Sequence, residues 1–101
     1  MSETPGSYRV DYDPKVKEQI IAIKEAAIEA GRLREYVEIL EQAGHFMRTD
    51  PHGWGDPEFR SKFVNGLYCH AMRWPVSFRY VIYEDVHGVV LLSLRQVAAF
   101  K

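Results

Sequence analysis

The chain has little of what several protein classes require. Its single cysteine, Cys69, excludes an internal disulfide, and no apolar run approaches the roughly 20 residues that a membrane-spanning helix needs. The formal net charge of −1 gives no whole-molecule field for a polyanion, so any such contact must come from a local patch. The first residues, MSETPGS, lack the basic and apolar regions of a signal peptide. We therefore expect a cytoplasmic protein with no membrane partner.

Motifs for several common chemistries are also missing. The sequence has neither a glycine-rich phosphate loop nor a serine nucleophile elbow. Cys69 and His70 are neighbours on a predicted strand, so their side chains point to opposite faces and do not form a catalytic pair. The four histidines show no metal-ligand spacing. We expect no cofactor and no metal.

The size and composition are those of one soluble globular domain. The chain has 101 residues, of which 47% are hydrophobic and 27% charged. Residues 1–6 are small and polar with one proline, a composition that predicts a disordered tail. The domain is then expected to cover residues 7–101.

A short strand and a helix are predicted first. Tyr8, Val10 and Tyr12 alternate with charged residues, which indicates an edge strand. The following segment, DPKVKEQIIAIKEAAIEAG, offers Asp13 as the helix N-cap and Gly31 as its stop. The expected buried stripe of this helix is Val16, Ile20, Ile23 and Ala27.

A second helix is predicted to fold back on the first. The helical period continues through Leu33, Val37, Leu40 and Phe46 or Met47, and the link to the first helix is short, which indicates a helical hairpin. The segment from Asp50 to Phe59 combines prolines, glycines and aspartates, so we expect a loop there, ordered by its tryptophan.

Three strands are predicted to complete the chain. They are GLYCHAMRW, VSFRYVIYE and GVVLLSLRQV, the last two joined by a turn at Asp85 to Gly88. The predicted fold class is α+β: an N-terminal strand, a helical hairpin and a three-stranded antiparallel meander, with the helices packed on one sheet face.

A basic, aromatic-rich stretch is the main functional signal. From Phe59 to Tyr83 there is no acidic residue, while arginine, lysine and aromatic residues alternate. Such a surface suits a nucleic acid, because cations pair with phosphate and aromatic rings stack on bases. The alternative is that these cations are solvated edge charges around core aromatics. On the first hypothesis, the nucleic-acid contacts are Arg60, Lys62 and Arg73.

The side-chain alternation groups the candidate residues by face. Arg79 and Tyr83 share one face of their strand, and His70 shares a face with Tyr68 and Met72. On the last strand Arg95 is expected beside Ser93, Leu91 and Val89, with Val90, Leu92 and Leu94 turned to the core. The register between the strands cannot be derived from the sequence.

Three segments together resemble the RelE/ParE toxin superfamily of bacterial type II toxin–antitoxin systems, in a divergent branch. YRVDYDPKVKEQI opens a strand into the first helix, and FRYVIYEDVHGVVLLSL is similar to the family's hairpin of tyrosine-rich strand, acidic turn and aliphatic strand. DPHGWGDPEF looks like a loop of a less studied branch. The resemblance covers Tyr8 to about Val97.

The resemblance implies a cytoplasmic toxin held inactive by a cognate antitoxin. RelE-like members cleave mRNA on the ribosome without a metal, using cationic side chains and often a C-terminal tyrosine. ParE-like members inhibit gyrase without catalysis. A binding domain of this fold that has lost toxicity is a third reading, and a second copy of the chain is a further candidate partner.

The family's catalytic residue types do not stand at the corresponding positions of this chain. Its second-strand lysines fall at Tyr68 and His70, its third-strand arginine at Ser77 and its late arginine near Ala98, and no tyrosine follows Tyr83. If the chain is a ribonuclease, His70 is expected to act as general base or acid. Arg79 and Arg95 would then bind phosphate, with Tyr83 near Arg79, as the remaining catalytic candidates.

Overall fold

A computed structural model describes residues 7–101, so the predicted tail at residues 1–6 lies outside the described residues. These described residues form five strands, three helices and a 3₁₀ turn at Glu84–Val86. In chain order the elements are β1 (Arg9–Tyr12), α1 (Lys15–Glu29), α2 (Leu33–Thr49), α3 (Pro51–Trp54), β2 (Asp56–Arg60), β3 (Leu67–Arg73), β4 (Val76–Tyr83) and β5 (Gly88–Gln96).

The strands form one mixed sheet in the order β1-β5-β4-β3-β2. Strands β2 to β5 are antiparallel neighbours, and β1 returns to pair in parallel with β5, from Arg9 opposite Gly88 to Tyr12 opposite Leu91. The helical hairpin of α1 and α2 supplies buried residues to the same core as the sheet. The predicted α+β class and the predicted meander are confirmed.

Helix α1 begins one residue later than predicted, with Pro14 rather than Asp13 at the N-cap, and it ends before Gly31 as predicted. The Asp13 carboxylate accepts a hydrogen bond from the Lys15 amide at 3.0 Å, which satisfies one of the free amides of the first turn. At the other end Gly31 has φ +69°, a left-handed conformation that glycine adopts without strain. The Arg32 amide then bonds back to the Ala27 carbonyl at 2.8 Å.

Helix α2 departs from its predicted stripe in its first half, whereas Leu40, Phe46 and Met47 lie in or against the core as predicted. Its buried residues are Tyr36, Ala43 and Met47, whereas Leu33 and Val37 are 37% and 41% exposed. The Tyr36 hydroxyl donates to the Ile20 carbonyl of α1 at 2.9 Å, and burial raises the pKa of Tyr36 to about 12. Tyr36 is larger than Leu33 or Val37, and its buried hydroxyl has a hydrogen-bond partner in α1. Its burial therefore determines which side of the first half of α2 faces the core.

The segment predicted as a loop is largely regular structure, so that prediction is wrong in its detail. Asp50 caps α3 by accepting from the Gly53 amide at 3.1 Å. Trp54 is buried, as expected, with its ring 5.2 Å from Phe78 and 5.3 Å from Tyr80. Strand β2 follows at once. All five of its residues are exposed, so it has no hydrophobic alternation and is held by its hydrogen bonds to β3.

The predicted face assignment of β5 is wrong for its first half. Arg79 pairs with Ser93, but Tyr80 pairs with Leu91, so Leu92 is an extra residue in a β-bulge. A bulge reverses the alternation along a strand. Val89 and Leu91 therefore lie in the core, while Arg95 stays on the opposite face.

Candidate functional site on the open face of the sheet

The sheet face opposite the helices carries a groove, which we call the sheet groove. Its volume is about 560 Å³. It forms because the register places His70 opposite Arg79, Arg79 opposite Ser93, and Ser77 opposite Arg95. The lining residues come from four strands and the segment after β5: Glu58, His70, Met72, Ser77, Arg79, Ser93, Arg95 and Val97.

His70 is positioned by a neighbouring hydroxyl. Its Nε2 atom lies 2.7 Å from Ser77 Oγ, and both side chains are half-buried. A histidine held in this way has one ring nitrogen committed to the serine and keeps a second nitrogen for other partners. The pair therefore presents an acid–base group in a fixed orientation inside the groove.

The two groove arginines differ in how they are compensated. Arg79 Nη2 donates to Glu58 Oε2 at 3.3 Å, and both side chains reach solvent. Within the described part of the chain, Arg95 makes no ion pair within 4 Å. A guanidinium without a carboxylate partner is available for a phosphate, which it can bind through two parallel hydrogen bonds.

Carboxylates limit the positive potential at the β2 side. Asp56 pairs with His70 in register and is exposed, and Glu58 offsets Arg79. Arg95 is therefore the groove arginine that no carboxylate within residues 7–101 pairs with inside 4 Å.

The structure gathers three of the four predicted catalytic residues. His70, Arg79 and Arg95 line the sheet groove together. Tyr83 lies outside the groove lining, at the far end of the same face, where its ring approaches Gly66. Burial and the neighbouring Tyr68 raise its pKa. The catalytic role of Tyr83 stays a prediction that the groove geometry does not support.

The predicted nucleic-acid contacts lie outside the groove. The Arg73 guanidinium lies 5.5 Å from the centroid of the Trp54 ring, on the helical side of the sheet, where it makes a cation–π contact. Arg60 is exposed at the end of β2, and Lys62 is exposed in the following loop. Their role in nucleic-acid binding stays a prediction.

Glu58 is the groove residue that sequence reasoning missed. It lies in the segment predicted as a loop, and it is the last acidic residue before the acid-free stretch. Only the pairing of β2 with β3 brings its carboxylate to Arg79. The abrupt change from acidic to basic residues after Glu58 was the one available signal.

A second polar cluster joins distant parts of the chain. The Tyr8 hydroxyl donates to Glu84 Oε1 at 2.8 Å, and His52 Nε2 contacts the same oxygen. The Tyr8 ring stacks on His87 at 3.8 Å. Hydrogen bonds from His52 and then Tyr8 hold the pKa of Glu84 below its usual value. The cluster ties the N-terminal segment, α3 and the β4–β5 turn together, which is a structural role.

Within residues 7–101, no group of three or more histidine, cysteine, aspartate or glutamate side chains is placed to hold a metal ion. No helix in that range has the length and apolar character needed to cross a membrane.

Comparison with known proteins identifies the fold. No family model matches the sequence, and a search of curated proteins gives no significant match. Three solved structures are similar over almost the whole chain. The toxin–antitoxin complex RelBE2 from Mycobacterium tuberculosis matches with a TM-score of 0.62 and 19% identity, covering 94% of this chain and 97% of that one.

The other two structures agree with the first. The archaeal RelE–RelB complex from Pyrococcus horikoshii OT3 gives a TM-score of 0.61 at 14% identity, covering 91% of this chain and 97% of that one. The chromosomal ParDE system from P. aeruginosa gives 0.60 at 17% identity, covering 92% and 99%. The chain therefore has a RelE/ParE-like toxin fold, as the sequence resemblance implied. At these identities the likeness shows the fold alone.

Proposed function

We propose that the protein is the toxin of a type II toxin–antitoxin system and that it cleaves RNA in the sheet groove without a metal. One observation carries the proposal: His70, Glu58 and two arginines converge in an open groove on a RelE/ParE-like fold. The groove supplies the groups that RNA cleavage needs, namely an acid, a base and cations for the phosphate.

The proposed reaction is attack of a ribose 2′-hydroxyl on the adjacent phosphate. The 2′-oxygen forms a bond to phosphorus, and the bond from phosphorus to the 5′-oxygen breaks, leaving a 2′,3′-cyclic phosphate and a 5′-hydroxyl. Glu58 and His70 carry out the two proton transfers. One of them accepts the proton of the 2′-hydroxyl, and the other donates a proton to the leaving 5′-oxygen. Arg95 and Arg79 stabilise the charge on the phosphorane, and Ser77 holds the His70 ring.

The test is cleavage of single-stranded RNA and of ribosome-bound mRNA in the presence of EDTA, with the new ends mapped. We expect 2′,3′-cyclic phosphate ends, a loss of about 10²- to 10⁴-fold for His70→Ala, and a comparable loss for Arg95→Ala. Arg34→Ala is the matched control, because Arg34 is an exposed arginine on α2. Cleavage by His70→Ala at the wild-type rate would refute the assigned chemistry.

The antitoxin partner belongs to the same proposal. The helical side carries an apolar groove lined by Tyr12, Pro14, Val16, Ile20 and Ile21, with Asp13 and Lys17 at its edges. Exposed apolar surface of this kind suits a partner chain. We expect a small reading frame for the antitoxin beside this gene, and its co-expression should restore growth. Ile21→Asp should retain toxicity but lose that rescue.

A non-catalytic inhibitor of a protein such as gyrase is the second candidate, favoured by the ParDE likeness. Induced expression of the wild type and of the Arg79→Ala, Arg95→Ala double variant separates the two functions. Growth arrest by the wild type alone supports the sheet groove. Arrest by both the wild type and the double variant would instead support an inhibitor that does not use the groove. Arrest by neither protein would indicate a binding domain without toxicity.

A further inference from the structure

A pair of stacked rings, of which one is exposed and the other half-buried, adjoins the residues that line the sheet groove. Phe59 of β2 and Tyr68 of β3 are register partners, and their rings stack with centroids 4.6 Å apart and planes within 11°. Phe59 nevertheless remains 56% exposed. A large aromatic ring held in a fixed orientation but left half in water has an open face to offer to a second flat apolar group.

The Phe59–Tyr68 pair lies on the same face of the sheet as the groove, a short distance along β3. Tyr68 and His70 are two residues apart on β3, so both side chains point to the open side of the sheet, and the two positions are about 7 Å apart along the strand. By register, Phe59 lies two strands across and one row along from Arg79, which is roughly 12 Å between the two positions. A phosphate held at Arg79 can therefore be followed by a nucleotide whose base lies over the Phe59–Tyr68 pair.

We propose that Phe59, supported by Tyr68, forms a stacking subsite for an unpaired nucleobase next to the phosphate bound in the sheet groove. This inference rests on the proposed function, and it specifies the substrate as single-stranded RNA at this position. A base inside a duplex is already stacked on both faces and has no free face for the ring. Stacking on an aromatic ring tolerates any base, so the subsite gives affinity and position rather than sequence selection.

The charges around the pair fit this occupant. The groove side supplies the arginines, and Arg95 has no carboxylate partner within 4 Å among residues 7–101. The carboxylate of Glu58 reaches Arg79 rather than the rings. A base is uncharged and meets no unfavourable charge over Phe59, whereas a second phosphate would lie near Asp56 and Glu58.

Binding can be tested separately from cleavage. Two short fluorescent single-stranded RNAs serve as probes. The intact RNA has a 2′-deoxyribose at the cleavage position, which prevents cleavage, and the matched abasic RNA also lacks one base there. Affinity is measured by anisotropy at fixed salt for the wild type, Phe59→Ala and Phe59→Trp. Ile28→Ala is the control, because Ile28 is a 51% exposed apolar side chain on α1 that lines neither groove.

We expect Phe59→Ala to weaken binding of the intact RNA by roughly tenfold, Phe59→Trp to keep it, and Ile28→Ala to leave it unchanged. The abasic RNA should bind the wild type about as weakly as Phe59→Ala binds the intact RNA, and the two losses should not add. Equal affinity of wild type and Phe59→Ala for intact RNA would overturn the subsite and leave the proposed function standing. Stacking-dependent binding without any RNA cleavage would support the subsite and refute the proposed enzyme. If the wild type binds no RNA, both proposals fail.

Discussion

Gly55 lies at the junction of α3 and β2, where the backbone passes close to the sheet. Its backbone angles, φ −118° and ψ −179°, are open to any residue, so the requirement for glycine there is one of space. A Cβ atom would lie 2.7 Å from the His70 carbonyl oxygen and 2.7 Å from the Tyr80 hydroxyl. Neither oxygen can move aside easily. One belongs to the backbone of β3, and the other is on a fully buried tyrosine ring.

We therefore expect Gly55→Ala to destabilise the protein. Forcing one carbon into a packed site costs about 1–3 kcal/mol, and displacing the Tyr80 hydroxyl from its 2.5 Å bond to the Pro51 carbonyl adds about 1 kcal/mol. The expected loss in the free energy of unfolding is then about 2–4 kcal/mol. Urea unfolding of the purified protein, followed by circular dichroism, measures it directly.

Gly44→Ala is the matched control. Gly44 lies inside α2, and a Cβ there would meet only the end of the Arg48 side chain at 3.4 Å. Because alanine favours a helix over glycine, this variant should gain about 0.5–1 kcal/mol. A Gly55→Ala variant that unfolds within about 0.5 kcal/mol of the wild type, alongside a stabilised Gly44→Ala, would show that the close approach at β3 is not a real constraint.

Two further predictions concern the hydrogen bonds that hold the same region. Tyr80→Phe leaves the Pro51 carbonyl without its donor and should lower the unfolding free energy by about 1–3 kcal/mol, as measured by urea unfolding. Glu84→Gln should destabilise the protein near neutral pH by at most about 1 kcal/mol, because the group is exposed. His52 and Tyr8 lower the pKa of Glu84, so its contribution is present above the unfolded pKa of about 4.3 and is lost as the pH falls through the folded value. The thermal stabilities of the two proteins should therefore converge as the pH falls through the lowered pKa of Glu84 in the folded state. A constant difference in thermal midpoint across the pH range would contradict the assignment.

The parts of the fold that follow from local signals could be predicted from the sequence. The start of α1 just after Asp13, the left-handed stop at Gly31 and the turn after Tyr83 each depend on a few neighbouring residues, so they appear in the residue pattern. The rotation of α2 depends instead on a partner, since Tyr36 is buried through its bond to the Ile20 carbonyl of α1. That contact is not visible in the periodicity of α2 alone.

The candidate site shows the same division. The alternation of side chains predicted that His70, Arg79 and Arg95 lie on strands. Whether the three side chains lie close together depends on the register between the strands, which no short sequence pattern encodes. The β-bulge at Leu92 illustrates the difficulty, because a single unpaired residue moves Val89 and Leu91 to the core and leaves Arg95 on the open face. Glu58 was missed because β2 is a strand only by virtue of its pairing with β3.

The two faces of the sheet are coupled through β2. On the helical side the short helix α3 is fixed by the buried Trp54 and by the bond from Tyr80 to Pro51. On the open side β2, which follows α3 after one residue, supplies Glu58 to the groove and Phe59 to the stacked pair. Strand β2 has no buried residue of its own, so its position depends on β3 and on α3. Core residues such as Tyr80 do not line the groove. Through α3 and β2 they nevertheless determine the position of the Glu58 carboxylate relative to His70.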